Sequence, residues 1–243
     1  PRSLAAAVFT AIFLVLTVHA TNAETIEAVL DRSQRTRLSQ QPAADTNSAA
    51  AQRVKAGLAR LLAQRDGANV ALVLVGGELF DEALLDRPGL AVSQAVGDLP
   101  EGERLLLLAH ELGHLRLGHP DALKALYHAY IPGEVRREVT DRAAAALGPA
   151  AHALSHRHEL EADAYGYALV RSLGFGIDNA FALLTRQGLQ MDSATHPGTR
   201  RRLAQLRALE DQLQLEAASL TTAPSILAAM PTRASVVTES ADR

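Results

Sequence analysis

Residues 101–120 read EGERLLLLAHELGHLRLGHP, and the fold turns on them. Leu105 to Leu108 put four leucines in succession, which covers every side of a helix and sends it into a core rather than onto a surface. Asp98, Pro100 and Glu101 offer it a start: an aspartate cap, an early proline and a glutamate three residues after the cap. Gly118 and Pro120 offer it an end. Inside it, His110-Glu111-Leu112-Gly113-His114 spells HExxH. Side chains four apart share one helix face, so both imidazoles can reach a single Zn²⁺, with Glu111 one step round as a base for a water. Random order would give this pattern in roughly one such chain in fifty. A chance copy has no reason to fall in an apolar helix, where unpaired polar groups are costly.

Composition narrows what else can join that site. The 243 residues contain no Cys and 9 His, so a metal must be held by imidazoles and carboxylates, with no thiolate, disulfide or cysteine nucleophile available. Lys and Arg total 24 against 27 Asp and Glu, a formal charge of −3 that argues against a nucleic-acid partner. Aromatic residues are 4% of the chain and Trp is absent, which removes a stacking platform for bases.

Away from the motif the chain divides by pattern. Residues 4–18 (LAAAVFTAIFLVLTV) form a charge-free apolar run after Arg2, with small residues near Ala20 and Ala23. This is the pattern of an export signal over residues 1–23, expected to be removed, which places the protein in the bacterial periplasm. The alternative is an uncleaved anchor at 4–18 facing the periplasm, although the run is shorter than the roughly 20 residues of a comfortable span. Residues 24–49 read as a short helix followed by a linker, QQPAADTNSAA at 40–50. Asn69 to Val75 is the one clear strand, closed by Gly76-Gly77. Helical spacing recurs at 134–147, 155–172, 178–189 and 199–216, and 218–243 reads as a flexible tail. The fold class is therefore mainly α (α+β, zincin-like), a helical domain over 50–217 with a small β-sheet.

A catalytic zinc normally has three protein ligands and one open position. His119 is the nearest further histidine, but five residues past His114 it stands about 140° round the helix. It is expected instead to close the helix C-terminus, where an imidazolium is favoured. A second stretch, Ser155-His156-Arg157-His158-Glu159-Leu160-Glu161-Ala162-Asp163, places Glu159 and Asp163 four apart on one helix face. Glu159 could complete the site with Asp163 holding a ligand's ring N–H from outside. Equally, both could be surface acids paired with Arg157 or Arg171. Ala162 and Gly166 keep that face small, and Glu161 reads as a solvated charge.

These three motifs in order, HELGH, SHRHELEADAYG and Thr195-His196-Pro197 with Arg202 six residues past the histidine, resemble the zinc metallopeptidase family of HtpX and the type I CAAX prenyl endopeptidase. The resemblance covers about residues 100–215. It implies that His110, His114 and Glu159 bind one Zn²⁺, that Glu111 is the base, that Asp163 and Arg202 support the ligands and that His196 lies close to the metal as an oxyanion donor or a gate. Read without the family, His196 could simply cap the 199–216 helix. The sequence departs from the pattern at His156, where the family has Arg, and its upstream Asn-Ala-Phe and Pro-Gly-Gly segment is not recognisable. Without a second apolar span, the chain is similar to the exported soluble BepA-type branch lacking tetratricopeptide repeats. The implied activity is a zinc metalloendopeptidase of envelope quality control, acting on misfolded or outer-membrane polypeptides with at most peripheral membrane contact. A non-catalytic or repressed zinc-binding, chaperone-like module is the alternative. The strand 69–75 could pair with an extended substrate, and Tyr127–Ala150 could lie over the cleft as a lid.

Overall fold

The computed structural model describes residues 24–64, 69–186 and 188–222. The export signal or anchor at 1–23 and the tail beyond 222 lie outside the described residues. The elements are α1 (Ile26–Ser39), α2 (Ala49–Leu62), β1 (Ala71–Val75), β2 (Asp81–Ala83), β3 (Gly89–Ser93), a 3-10 turn (Gln94–Asp98), α3 (Glu101–Arg116), α4 (His119–Tyr130), α5 (Arg137–Ser172), α6 (Ile177–Thr185) and α7 (Thr199–Thr222). This is a mainly α protein with one small sheet, in agreement with the sequence. Among the described residues no helix is long and apolar enough to cross a membrane.

The leucine run behaves as its pattern requires. From Gly102 to Gly113 every residue of α3 but Arg104 is buried, and the helix forms the centre of the larger core. Against it pack Val54, Leu58 and Leu61 of α2, Leu90 and Val92 of β3, Tyr167 and Val170 of α5 and Leu206 of α7. The start of α3 differs from the reading: Pro100 occupies the cap without a side-chain hydrogen bond. Asp98 instead closes the 3-10 turn and pairs with Arg53 of α2 at 2.5 Å.

The sheet has the order β1-β3-β2. β1 runs parallel to β3 from Ala71↔Gly89 to Val75↔Ser93, and β2 runs antiparallel to it from Asp81↔Val92 to Ala83↔Leu90. β3 is buried along its whole length between them. Only β1 was legible; at 3 residues β2 is too short to show an alternation. Both margins of the sheet meet the N-terminal segment. Ala43 bridges Val75, and Pro42 accepts the Gly76 N–H at 2.7 Å. On the other side the Gln34 amide of α1 donates to Ala83 O (2.9 Å) and accepts from Leu85 N (2.7 Å), the two bonds a parallel strand would make across Leu84.

The greatest departure is α5. Gly148-Pro149 falls inside one continuous helix of 36 residues instead of separating two. Proline there removes one backbone donor, a loss that packing at both ends of the helix outweighs. Its first half joins α1 and α4 in a second core of Ile26, Leu30, Tyr127, Ile131, Ala143, Leu147 and Ala151. The segment expected to form a lid packs one face, Tyr127, Ile131, Ala143 and Leu147, into this core.

Candidate active site

Two helices in close contact build the site. Glycine makes the contact close: a Cβ on Gly166 of α5 would stand 2.8 Å from the His110 backbone N, and one on Gly113 of α3 would stand 3.1 Å from Ala162 Cα. The small face expected from Ala162 and Gly166 is thus the surface on which α3 rests.

That contact brings the motif residues together. The Nε2 atoms of His110 and His114 are 3.1 Å apart. Glu159 Oε1 lies 3.4 Å from His114 Nε2, and Glu159 Oε2 lies 3.6 Å from His110 Nε2. Glu159 Oε2 is buried and has no hydrogen-bond partner. A buried carboxylate oxygen without a hydrogen bond is costly; this one faces the His110 ring nitrogen, with the Arg202 guanidinium Nη1 at 3.8 Å on its other side. In a tetrahedral zinc site with bonds of about 2.0–2.1 Å, neighbouring donors stand roughly 3.3–3.4 Å apart. The ring-nitrogen separation and the approach of one Glu159 oxygen to each ring lie within about 0.3 Å of that value, so His110, His114 and Glu159 could hold a small cation. Glu111 also brings an oxygen within 4.8 Å of both histidines, but at 3.9 Å from His110 Nε2 it is set further back.

Charge around these donors is sorted by the neighbours. His110 Nδ1 faces Asp163 Oδ1 at 3.0 Å. Asp163 in turn receives Arg202 Nε at 2.7 Å and Nη2 at 2.6 Å, a forked pair in which both side chains are largely buried. Burial alone would raise the Asp163 carboxyl, but Arg202 and then His110 hold it below the usual range. Burial works against a charged His110 too, yet the Asp163 bond and Glu159 raise its pKa. For Glu159, burial is outweighed by His114, His110, His196 and Arg202, which keep it well below an ordinary carboxylate. Glu111 goes the other way. Burial pushes its carboxyl well above the usual range, and a hydrogen bond with Asp81 and that residue's charge push it further. Asp81 opens β2 and reaches Glu111 only through the tertiary fold, so no local spacing could have marked it.

His196 lies at the mouth of the site, 52% exposed, with Nε2 3.6 Å from Glu159 Oε1. It sits in a turn where Ser193 N donates to His196 O (2.9 Å) and Ser193 Oγ accepts the His196 N–H (2.9 Å). His156, the departure from the family pattern, donates from Nε2 to Ser193 O at 2.8 Å. One imidazole therefore ties α5 to the turn that carries another. Neither Arg157 nor Arg171 pairs with Glu159 or Asp163: Arg157 approaches Glu161, and Arg171 pairs with Glu210.

His119 does not close a helix as an imidazolium. It begins α4, buried, with Nδ1 3.0 Å from His114 Nδ1, and burial and His114 lower its pKa to about 4. Glu161 is not simply solvated either, since it meets His119 Nε2 at 3.2 Å.

Two histidines and a glutamate from an HExxH helix and its neighbour, with a second glutamate set back beside them, define a metallohydrolase-type site. Residues 90–210 match the family model described as peptidase family M48. That stretch is an M48 metallopeptidase domain, and it contains every residue of the site except Asp81. No curated protein or solved structure matches the chain.

Proposed function

We propose that the chain is a zinc-dependent endopeptidase that is exported and cleaves unfolded or misfolded polypeptides of the bacterial envelope. The observation that carries the metal reading is the convergence of the buried Glu159 carboxylate on two imidazoles, with Oε1 towards His114, and Oε2, which accepts no hydrogen bond, towards His110. His110, His114 and Glu159 would hold one zinc ion. When bound, zinc supplies Lewis acidity, which acidifies a water and polarises a peptide carbonyl oxygen.

Glu111 takes the proton of the attacking water and passes it to the leaving amine. Burial raises its pKa, which makes the ionised carboxylate a stronger base for that proton. Asp163, held ionised by Arg202, fixes the His110 ring through Nδ1. His196, 3.6 Å from Glu159 Oε1 on a turn secured by His156, would donate to the developing oxyanion. Export rests on the pattern of residues 1–23, and the absence of a basic excess is the ground for excluding nucleic acid as a partner.

The test compares zinc content and cleavage of an unfolded protein for wild type and Glu111→Gln. Wild type is expected to hold one zinc and to cleave, and Glu111→Gln to hold zinc while losing cleavage by at least about a hundredfold. Equal cleavage by the two would sink the mechanism. A wild type that holds zinc and suppresses aggregation without cleaving would make the chain a binding module instead.

A further inference from the structure

Behind His114, on the side away from the metal donors, a second chain of polar contacts reaches the surface. Resting on the zinc reading above, we infer that His119 and Glu161 are a positioning pair for His114: His119 accepts the His114 Nδ1–H and donates its own Nε2–H to Glu161. The ring chemistry leaves little freedom. His114 Nε2 faces His110 Nε2 at 3.1 Å and Glu159 Oε1 at 3.4 Å, so a ligating His114 keeps its proton on Nδ1. That Nδ1 lies 3.0 Å from Nδ1 of His119. Two ring nitrogens share a hydrogen bond only when one is bare, so the His119 proton sits on Nε2. Nε2 then meets Glu161 Oε2 at 3.2 Å, an acceptor when ionised.

The backbone is shaped for this contact. In an unbroken helix His119 would stand about 140° away from His114. Gly118 takes φ 70°, a left-handed conformation that ends α3 and starts α4 with His119 folded back. His158 stacks on the His119 ring with centroids 3.9 Å apart and planes within 5°, so the ring is held on its face as well as at both nitrogens. His110 and His114 thus each have an outer partner drawn from α5, Asp163 for the first directly and Glu161 for the second through His119.

His119, His158 and Glu161 also place ligand atoms within 4.8 Å of one another, as a second cation site would. Stacked parallel rings aim their lone pairs side by side rather than at one point, and both His119 nitrogens are already engaged. Geometry favours the positioning pair.

Zinc affinity of the full chain, measured by competition with a chelator, tests it. His119→Leu removes the acceptor and is expected to weaken zinc binding by about 10–100-fold. His119→Asn restores an acceptor oxygen near the Nδ1 position and is expected to recover most of that loss, to within about threefold of wild type. Glu161→Ala, at a side chain 47% exposed and so safe for folding, is expected to cost about threefold to tenfold. Nitrogen NMR of the zinc-loaded wild type is expected to show His119 as the Nε2–H tautomer.

Unchanged affinity in His119→Leu overturns the inference, as does equal loss in the Leu and Asn variants, an Nδ1–H tautomer, or a second zinc bound per chain. If His119→Leu does not fold, the wild-type tautomer and Glu161→Ala decide. Failure of the zinc reading itself looks different: wild type without stoichiometric zinc, or His114→Ala binding it as tightly as wild type.

Discussion

The first half of α5, residues 137–154, and its second half, residues 155–172, share one axis and almost nothing else. The first half buries Ala143, Leu147 and Ala151 against α1 and α4, a contact of small and aliphatic groups. The second buries Glu159 and Asp163 against polar groups of α3 and α7, His156 against the Ser193 carbonyl, and His158 against the His119 ring of α4. An apolar contact tolerates slight rearrangement. A buried polar set stands or falls together, because removing one member strands the others. Stability in the first half is therefore expected to be graded, and in the second to be conditional on every partner.

That contrast is tested most severely at the metal donors. Glu159→Ala removes one of three convergent donors, and its zinc affinity is expected to fall by more than the roughly 100-fold that loss of an outer partner brings. Full zinc occupancy of that variant by metal analysis would end the ligand assignment. Next, Arg202→Ala leaves the buried Asp163 carboxylate still facing the His110 ring but without its guanidinium, and is expected to cost about 3–5 kcal/mol in denaturant unfolding of the metal-free chain. A cost under about 1 kcal/mol, the range of a surface pair, would show that the fork is not structural.

In the apolar half, Leu147→Ala is expected to cost about 2–3 kcal/mol while zinc affinity stays at the wild-type value. A parallel loss of zinc affinity would show that the two halves are one unit. The smallest effect is expected where α5 meets α7. Tyr167 is fully buried and donates to Glu210 at 2.7 Å, and Tyr167→Phe is expected to cost about 1 kcal/mol. Burial, then Glu210, raises the Tyr167 phenol above its ordinary 10.0. A raised folded pKa gives stability that is complete below pH 10 and lost as pH climbs past it. Thermal unfolding of wild type should weaken above pH 10 more than that of Tyr167→Phe, and parallel profiles would remove the phenol from the account.

What could be read in advance follows from where each signal lives. His110, Glu111, His114, Glu159 and Asp163 stand out because ligands four apart on a helix leave a trace in spacing. The fork between Asp163 and Arg202 was marked only by resemblance to a family, since 39 residues separate the two. Asp81 left no trace, because it meets Glu111 through a strand too short to recognise. His119 was read as a helix end, correctly as to the break at Gly118, but a left-handed turn points a side chain where no helical wheel can show. Helical spacing at 134–147 and 155–172 suggests two helices, but packing carries one helix through Gly148-Pro149. Local pattern marked His110, Glu111 and His114 and left Glu159 open between ligand and surface acid until the family resemblance favoured the ligand; the contacts around them came from the tertiary fold.

The pairing of β3 has one further consequence, for anyone cutting the chain. A fragment begun at residue 90, where the family match begins, would keep the HExxH helix and discard both neighbours of β3. The strand left behind would carry two open rows of backbone groups and the apolar side chains Leu90 and Val92, which are fully enclosed in the intact chain. Such an edge recruits other copies. The shortest piece that stays in solution therefore starts well before the motif, far enough upstream to retain β1 and the Pro42–Ala43 contact that covers it.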